Sequence, residues 1–263
     1  MGIVNVTPDS FSDGGQFFDP EDAIAHGLKL AEDGADIIDI GAESTRPGAE
    51  TVTVEEEFRR LSPVVAELVK QTDVLISVDT TKADVARKML DTGAHIINDV
   101  SGLQFDPDLA GVVAESQCPV VIMHIQGTPR TMQKNPSYDD VIKDILLYFR
   151  ERIDYARSRG IADEQILIDP GIGFGKTVDH NHRIIRKLQQ FTSLGFPVLV
   201  GASRKSYIGK TLDLPVEDRL YGSLAVAAMA VLNGASVLRV HDVRETRQVT
   251  RMMDAILRTD TTG

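Results

Sequence analysis

The chain opens with MGIVNV at residues 1–6 and continues with TPDSFSDGG at residues 7–15. The first run is short and apolar, so it predicts a buried strand, and it carries one amide, Asn5, near its end. The second run mixes proline, aspartate, serine and paired glycines, so it predicts a loop. A strand that delivers a polar side chain and then opens into a polar loop is an arrangement in which a rigid scaffold positions functional residues.

Short β-branched runs of the same kind recur along the whole chain. We place the eight strands near residues 2–6, 36–40, 74–79, 95–99, 120–124, 165–169, 198–201 and 237–240. The runs are nearly continuous rather than alternating, as expected for parallel strands that are buried on both faces. Amphipathic patterns between them predict helices at residues 20–33, 54–71, 82–92, 138–159, 219–233 and 245–258.

The junctions from helix to strand repeat one pattern. Gly34, Gly93 and Gly234 each end a predicted helix just before a strand, and each is followed by alanine. Glycine at that place is the left-handed residue that stops a helix. Eight strands with this punctuation predict an α/β fold, a single (β/α)8 TIM barrel domain over residues 1–263. A doubly wound sheet is the alternative, but it normally has fewer strands and a Gly-x-Gly-x-x-Gly first turn, which this sequence lacks.

The composition limits the kinds of partner that the protein can bind and indicates where in the cell it is located. The net charge of −11 argues against nucleic acid or an anionic membrane as the main partner, because both need a basic face. The one cysteine, Cys118, allows no internal disulfide and is interpreted as a small core residue. The longest apolar run, residues 224–232, is too short to span a membrane, and the sequence has no signal-peptide pattern at its start. We therefore expect a cytoplasmic protein.

Polar side chains follow every predicted strand. A barrel enzyme places its active site at the carboxyl ends of its strands, so these side chains are candidates for one site. For any one of them, a helix cap or a turn residue is the simpler interpretation, as for Asp79 before Thr80. Capping does not explain why all eight strands deliver polar groups to the same rim. The candidates, in strand order, are Asn5, Arg46, Asp79, Asn98, His124, Asp169, the run from Ser203 to Ser206, Arg239 and His241.

The candidates sort by charge. Asp79, Asn98 and Asp169 suit a flat heterocycle with adjacent N–H donors, such as the 2-amino-4-oxo edge of a pterin, and Lys205 can donate to the other edge. The cationic or donor groups Arg46, Arg239 and His241 suit a phosphate or pyrophosphate. Asn5 offers a neutral oxygen to an Mg²⁺ ion that keeps several waters.

Some of these residues have simpler interpretations that stay open. Arg46 is also interpretable as a solvated loop residue, and Arg204 with Lys205 as a surface pair. His124 is interpreted first as a core histidine. The run from Gly173 to Lys176 lacks the spacing of a nucleotide phosphate loop, so it predicts no nucleotide site.

Taken together, the motifs resemble the dihydropteroate synthase family over nearly the whole chain. The matching segments are NVTPDSFSDGG (5–15), ESTRPG (43–48), SVDT (77–80), IND (97–99), MH (123–124), DPGIGFGK (169–176), SRKS (203–206) and RVHD (239–242). The resemblance implies a TIM barrel, usually a homodimer, that joins 6-hydroxymethyl-7,8-dihydropterin pyrophosphate to p-aminobenzoate.

The resemblance also implies a role for each matching residue. Asp79, Asn98, Asp169 and Lys205 resemble the pterin pocket, lined by Met123 and Phe174, and Asn5 resembles the Mg²⁺ ligand. The pyrophosphate clamp corresponds to Arg46, Arg239 and His241. The p-aminobenzoate side corresponds to Phe11, Thr45, Pro47, Ser203 and Ser206. The residues expected to carry the chemistry, by a dissociative substitution, are Asp79, Asp169, Lys205 and Arg239.

The sequence departs from the family pattern in two places. Gly41-Ala42 stands where the family usually has two glycines, and the added methyl group is expected to restrict that loop slightly. Family members usually carry an N-terminal extension before the first strand, whereas here Met1 is almost the strand itself. Either the natural start lies upstream or this form lacks that segment. We expect that difference to bear on stability rather than chemistry, because the site lies at the other end of the barrel.

Two other functions are compatible with part of the pattern. A methyltetrahydrofolate:corrinoid methyltransferase on the same barrel would use the three pterin acceptors but not a pyrophosphate clamp. The four cationic or donor groups therefore favour the synthase. A pterin-binding barrel without catalysis, acting as a partner subunit, is opposed by the intact metal, cation and acid positions.

Overall fold

A computed structural model describes residues 1–7, 19–44 and 52–258 of the chain. Eight strands lie in this part of the chain, and each begins and ends within two residues of its predicted bounds. They are β1 (Gly2–Asn5), β2 (Ile37–Gly41), β3 (Leu75–Asp79), β4 (Ile96–Asp99), β5 (Val120–Met123), β6 (Ile166–Asp169), β7 (Leu199–Val200) and β8 (Val237–Leu238).

The strands close into a parallel barrel. β1 to β6 form one sheet in chain order, and β7 pairs with β8. Two single bridges join these sheets: Ile168 in β6 pairs with Val198, just before β7, and Gly2 in β1 pairs with Val240, just after β8. Backbone hydrogen bonds seal the last seam, with Ile3 N donating to Val240 O at 3.1 Å and Val240 N to Met1 O at 2.9 Å. The fold is therefore the (β/α)8 barrel that the sequence predicts.

Helices cover the outside of the barrel. They are α1 (Pro20–Glu32), α2 (Val54–Gln71), α3 (Ala83–Thr92), α4 (Leu109–Ser116), α5 (Val141–Ser158), α6 (Val178–Arg186), α7 (Gln189–Thr192), α8 (Ser206–Leu212), α9 (Leu220–Leu232) and α10 (Val243–Arg258). The six predicted helices are confirmed within three residues at each end. Gly34, Gly93 and Gly234 are left-handed, with φ of 94°, 109° and 92°, as the helix-stop pattern predicts. None of the described helices is both long and apolar enough to cross a membrane.

The barrel interior has two layers of opposite character. Alternate strand residues point outward into the core under the helices, for example Ile38, Ile40, Ile76 and Val78. Inward-facing residues at the amino ends of the strands form an apolar cluster, which we call the barrel floor. The barrel floor consists of Met1, Ile37, Val121, Leu167, Leu199 and Val237. Above it, toward the carboxyl ends, the interior is charged.

Candidate active site

Strand register brings the first candidate residues to one level of the barrel mouth. Asn5 pairs with Gly41, Gly41 with Asp79, and Asp79 with Asn98. A Cβ on Gly41 would lie 3.3 Å from the Asp79 Cβ, so the glycine gives that carboxylate room. Asn5, Asp79 and Asn98, predicted from separate motifs, thus share one rim.

A buried carboxylate, Asp39, joins four strands beneath this rim. It is fully buried and accepts from Ser77 Oγ at 2.5 Å, Asn98 Nδ2 at 3.0 Å and Arg239 Nε at 2.6 Å. Arg239 also donates from Nη2 to Asp79 Oδ2 at 3.1 Å. The sequence motifs did not point to Asp39. The available signal was an ionisable residue inside an apolar strand, on the same face as the strand-end position two residues later.

The loop after β6 forms another side of the site. Asp169 is buried, and its Oδ1 accepts from Gly171 N at 2.7 Å. Gly171, Gly173 and Gly175 have φ of 67°, 82° and 64°. A Cβ on Gly171 would lie 1.9 Å from the His124 carbonyl oxygen, so the turn requires glycine there. The turn holds Asp169 at the mouth, and the same loop carries Phe174.

Lys205 reaches this loop from the loop after β7. Its Nζ lies 4.4 Å from the centroid of the Phe174 ring and donates to the Ile172 carbonyl oxygen. The neighbouring Arg204 turns away and forms a two-point ion pair with Asp242, at 2.7 and 2.9 Å. The interpretation of Lys205 as part of a surface pair with Arg204 is therefore wrong, because Lys205 contacts Phe174 and Ile172 at the site.

Apolar side chains form one wall of the mouth. Met123 and Phe174, both predicted to line a pocket, belong to one cluster. Its other members, Val100, Ile125 and Met132, were not predicted because no polar motif marks them. An apolar wall beside carboxylate, amide and ammonium groups suits a planar ring with polar edges.

His124 and Lys176 form a buried pair beneath the loop. The Lys176 Nζ lies 2.9 Å from His124 Nδ1 and donates to the Phe174 carbonyl oxygen at 2.9 Å. Both side chains are buried, which confirms the interpretation of His124 as a core histidine. Burial, and then the Lys176 charge, lower the pKa of His124 well below its ordinary value. Burial likewise lowers the pKa of Lys176.

Ser203 and His241 face each other across the loops after β7 and β8. The His241 Nδ1 lies 3.0 Å from the Ser203 Oγ. Ser206 is exposed at the start of α8. The remaining predicted residues, Phe11, Thr45, Arg46 and Pro47, lie outside the described residues.

The charged groups of the site have shifted pKa values. Burial raises the pKa of Asp79 to about 7 against the opposing effect of Arg239, and burial also raises the pKa of Asp169. Burial lowers the pKa of Lys205 to about 8, although Asp169 opposes the shift. For His241, burial and then Arg239 lower the pKa to about 4. Such shifts are typical of sites where charge develops during a reaction.

A cavity of about 470 Å³ opens beside Asp79, between the loops that follow β2 to β5. Its lining includes Lys82, Val100 and Phe105. Lys82 forms ion pairs with Glu43, at the root of the loop after β2, and with the buried Glu57 of α2. The cavity gives the charged rim access to a ligand of small-molecule size.

For a metal ion, the described residues offer little besides Asn5. They contain no group of three or more His, Cys, Asp and Glu that could hold an ion. Asn5 is half-buried at the carboxyl end of β1, level with Asp79. One neutral oxygen fits an Mg²⁺ ion that is held mainly by waters and substrate phosphates, and does not fit a protein-built metal cage.

Comparisons with known proteins agree with this geometry. The family model described as "Pterin binding enzyme" matches residues 1–241. The chain is 49% identical over 257 residues to dihydropteroate synthase of Escherichia coli, which covers 98% of this chain and 91% of that one. It is 47% identical over 259 residues to dihydropteroate synthase of Synechocystis sp.. That alignment covers 98% of this chain and 90% of the relative.

Solved structures give the same result. The crystal structure of Yersinia pestis dihydropteroate synthase with a sulfonamide drug complex has a TM-score of 0.92 and 44% identity, and covers 97% of this chain and 92% of that one. Dihydropteroate synthase of Xanthomonas albilineans in complex with 7,8-dihydropteroate has a TM-score of 0.88 and 44% identity, with the same coverage. The chain belongs to the dihydropteroate synthases, within the pterin binding enzyme family.

Proposed function

We propose that this chain condenses 6-hydroxymethyl-7,8-dihydropterin pyrophosphate with p-aminobenzoate to give 7,8-dihydropteroate and pyrophosphate. The observation that carries the proposal is the convergence of Asp79, Asn98, Asp169, Lys205 and Arg239 at one barrel mouth. Relatives support it, because Xanthomonas albilineans dihydropteroate synthase has been solved with 4-aminobenzoic acid and with 7,8-dihydropteroate.

The pterin ring is proposed to lie against the apolar wall of Met123 and Phe174. Asp79 and Asp169 would accept from ring N–H groups, because a carboxylate facing paired donors makes charge-assisted hydrogen bonds. Asn98 adds a neutral acceptor, and Lys205 donates to the opposite edge. Burial strengthens each of these contacts, because the effective dielectric constant is lower than in water.

The pyrophosphate is proposed to bind at the outer side of Arg239, with His241 and with Arg46 from outside the described residues. Arg239 uses Nε and Nη2 for Asp39 and Asp79. No hydrogen bond from its Nη1 to another described residue is found, so that edge is suited to an anion. Asn5 would supply the protein oxygen to Mg²⁺, which when bound neutralises phosphate charge.

The reaction is proposed to be a dissociative substitution. The bond from the methylene carbon on C6 to the pyrophosphate oxygen breaks, and the electron pair leaves with the pyrophosphate. The resulting cation is delocalised into the ring, where Asp79 and Asp169 stabilise positive charge as it develops. The nitrogen lone pair of p-aminobenzoate then forms the new C–N bond, and that nitrogen loses its proton to solvent or to pyrophosphate. A neutral aniline nitrogen needs no strong base, so a nucleophile–base pair is not required.

The second substrate is proposed to enter above the ring. Ser206 is exposed beside Lys205 and can donate to the carboxylate of p-aminobenzoate. Ser203 would act next to it, together with Phe11, Thr45 and Pro47 from outside the described residues.

Assembly and location are part of the same proposal. A homodimer is supported by large apolar side chains that are exposed on α9 and α10, two helices in contact with each other. They are Tyr221, Met229 and Leu232 on α9 and Met252, Ile256 and Leu257 on α10. One continuous core cluster that runs from Val4 to Val243 supports a single domain. A cytoplasmic location is supported by the lone, unpaired Cys118.

The deciding experiment mixes the purified protein with Mg²⁺, the pterin pyrophosphate and p-aminobenzoate. Mass spectrometry should detect 7,8-dihydropteroate, and pyrophosphate should appear in equal amount. Pterin binding without product would instead indicate a binding protein, and methyl transfer to a corrinoid would indicate the alternative enzyme. Either result would overturn the proposal.

A further inference from the structure

Asp39 is a buried carboxylate that lies one layer below the residues proposed to contact the pterin. It is fully buried between the barrel floor and the rim. Its Oδ1 accepts from Ser77, and its Oδ2 accepts from both Asn98 and Arg239. Of its three partners, two are therefore side chains of the proposed site.

The contact with Asp39 fixes which end of the Asn98 amide faces the ligand. An ionised carboxylate can only accept hydrogen bonds, so the Asn98 NH₂ group must turn toward Asp39. The Nδ2–Oδ2 distance of 3.0 Å agrees with that orientation. The Asn98 oxygen is then directed away from Asp39, and the amide offers an acceptor rather than a donor.

The same carboxylate also fixes the plane of the Arg239 guanidinium. Nε donates to Asp39 at 2.6 Å and Nη2 to Asp79 at 3.1 Å, so two carboxylates on different strands hold one planar group. Two hydrogen bonds to different carboxylates fix the orientation of the guanidinium plane. Its positive charge is also shared between Asp39 and Asp79.

We propose that Asp39 is a positioning residue that sets the hydrogen-bond pattern of the site, by turning the Asn98 oxygen and the outer edge of Arg239 toward the ligand. This inference rests on the proposed function for the identity of the ligand. It makes a definite statement about specificity: the ring atom that meets Asn98 must carry a hydrogen. Ser77 supports Asp39 from the opposite side and does not touch the site itself.

A purely structural role for Asp39 makes a different prediction. A buried ion pair that only stabilises the barrel would lower the unfolding temperature when it is broken, but would leave ligand affinity and the pH profile unchanged. Asp99 is a matched control for stability and ligand affinity, but not for the pH profile, because its charge also raises the pKa of Asp79. It is also a fully buried carboxylate, and its hydrogen bonds go to Ser101 and to Leu103 N.

The charge on Asp39 has a measurable effect on its neighbour. Burial raises the pKa of Asp79, Arg239 opposes this, and the Asp39 carboxylate raises it further. Other charged groups near Asp79 are Glu57 on α2, Asp99 on β4 and Lys205 after β7. Asp39→Asn would remove one like charge and leave Arg239 to Asp79, so the pKa of Asp79 should fall.

The test compares wild type, Asp39→Asn and Asp99→Asn in the full-length protein. Calorimetry with 6-hydroxymethylpterin, which lacks the pyrophosphate, measures the ring pocket alone. Asp39→Asn should bind about 10- to 100-fold more weakly, the size expected for a misplaced hydrogen bond to a charged group. Its KM for p-aminobenzoate should be unchanged, and the acid limb of its kcat/KM profile should move to lower pH. Asp99→Asn should lose stability but keep wild-type affinity.

A second variant keeps the inference testable if Asp39→Asn does not fold. Asn98→Asp retains an acceptor for the ligand but cannot donate to Asp39 when ionised. We expect it to lose pterin affinity at pH 8. Wild-type affinity in Asn98→Asp, or wild-type affinity and an unmoved acid limb in Asp39→Asn, would overturn the inference. If the wild type binds the pterin but makes no product, the proposed function fails and the binding comparison still tests Asp39.

Discussion

The ammonium group of Lys205 lies 4.4 Å from the centroid of the Phe174 ring, so the loops after β6 and β7 meet at the mouth of the barrel. This contact places a cation against an aromatic face, and the same cation donates to the Ile172 carbonyl oxygen. Lys205 is therefore held in position before any ligand arrives. From this fixed position, Lys205 can donate a hydrogen bond to a ligand only while its amine is protonated.

The pH profile of the reaction should be bell-shaped. Asp79 must be ionised to accept from the ring, and its pKa of about 7 means that kcat/KM should fall as the pH drops below that value. Lys205 must be protonated to donate, and its pKa of about 8 means that kcat/KM should fall as the pH rises above it. Steady-state kinetics between pH 5.5 and 9.5, roughly the range needed to bracket both limbs, would show it.

The matched variant for this profile is Lys205→Arg. A guanidinium stays charged throughout the range, so the alkaline limb should disappear while the acid limb remains. An alkaline limb that persists in Lys205→Arg would assign it to another group.

Asp79→Ala should abolish most turnover while leaving the fold intact. Removing one preorganised charge of this kind typically costs on the order of 10²–10³ in rate. The measurement is pyrophosphate release, with circular dichroism to check the fold. Asp73→Ala is the control, because Asp73 is exposed just before β3, at the opposite end of the barrel. Pyrophosphate release near the wild-type rate in Asp79→Ala would contradict the dissociative mechanism.

Gly171→Ala should be far more damaging than Gly195→Ala. Both glycines are left-handed, with φ of 67° and 87°. The strain alone should cost about 1 kcal/mol at Gly195, where a Cβ has nothing within 4 Å. At Gly171 the Cβ would also lie 1.9 Å from the His124 carbonyl oxygen, and we expect a loss of about 3 kcal/mol or more. Urea unfolding measures both, and equal losses would show that the clash is relieved without cost.

His124 should make the protein less stable in acid. Its pKa is well below the ordinary value of 6.5 when folded, so below pH 6.5 the unfolded chain binds a proton that the folded chain does not. Its contribution to the free energy of unfolding should therefore fall by about 1.4 kcal/mol per pH unit until the folded pKa is reached.

His124→Gln isolates this effect, because the other histidines and carboxylates remain in both proteins. The free energies of unfolding of wild type and variant should converge as the pH drops from 7.5 to 5.5, roughly the interval around an ordinary histidine pKa. Parallel pH dependence in the two proteins would assign the acid sensitivity elsewhere.

The barrel could be predicted from the sequence because eight buried strands repeat one local pattern. Gly34, Gly93 and Gly234 fixed the helix ends, since a left-handed stop is a local requirement. Four short helices, α4, α6, α7 and α8, were not predicted. They have eight, nine, four and seven residues, so each offers few turns over which an amphipathic pattern can repeat. The start of α5 was placed three residues early, because the helix begins where Asp140 Oδ1 accepts the capping hydrogen bond from Ile142 N.

The site could be predicted where polar motifs mark strand ends. Asp79, Asn98, Asp169 and Lys205 are all brought to the mouth. Asp39 and the wall residue Val100 could not be found in this way, because their roles come from partners on other strands. Sequence distance between Asp39 and Arg239 is 200 residues, and only closure of the barrel brings them together.

The barrel floor has a consequence for how protons move. Six apolar side chains separate Asp39, Asp79 and Asp169 from the far end of the barrel. Within the described residues, exchange of protons with bulk water therefore runs through the mouth. A ligand seated in the mouth lies across that route. A bound ligand is therefore expected to slow the exchange of protons between these carboxylates and bulk water.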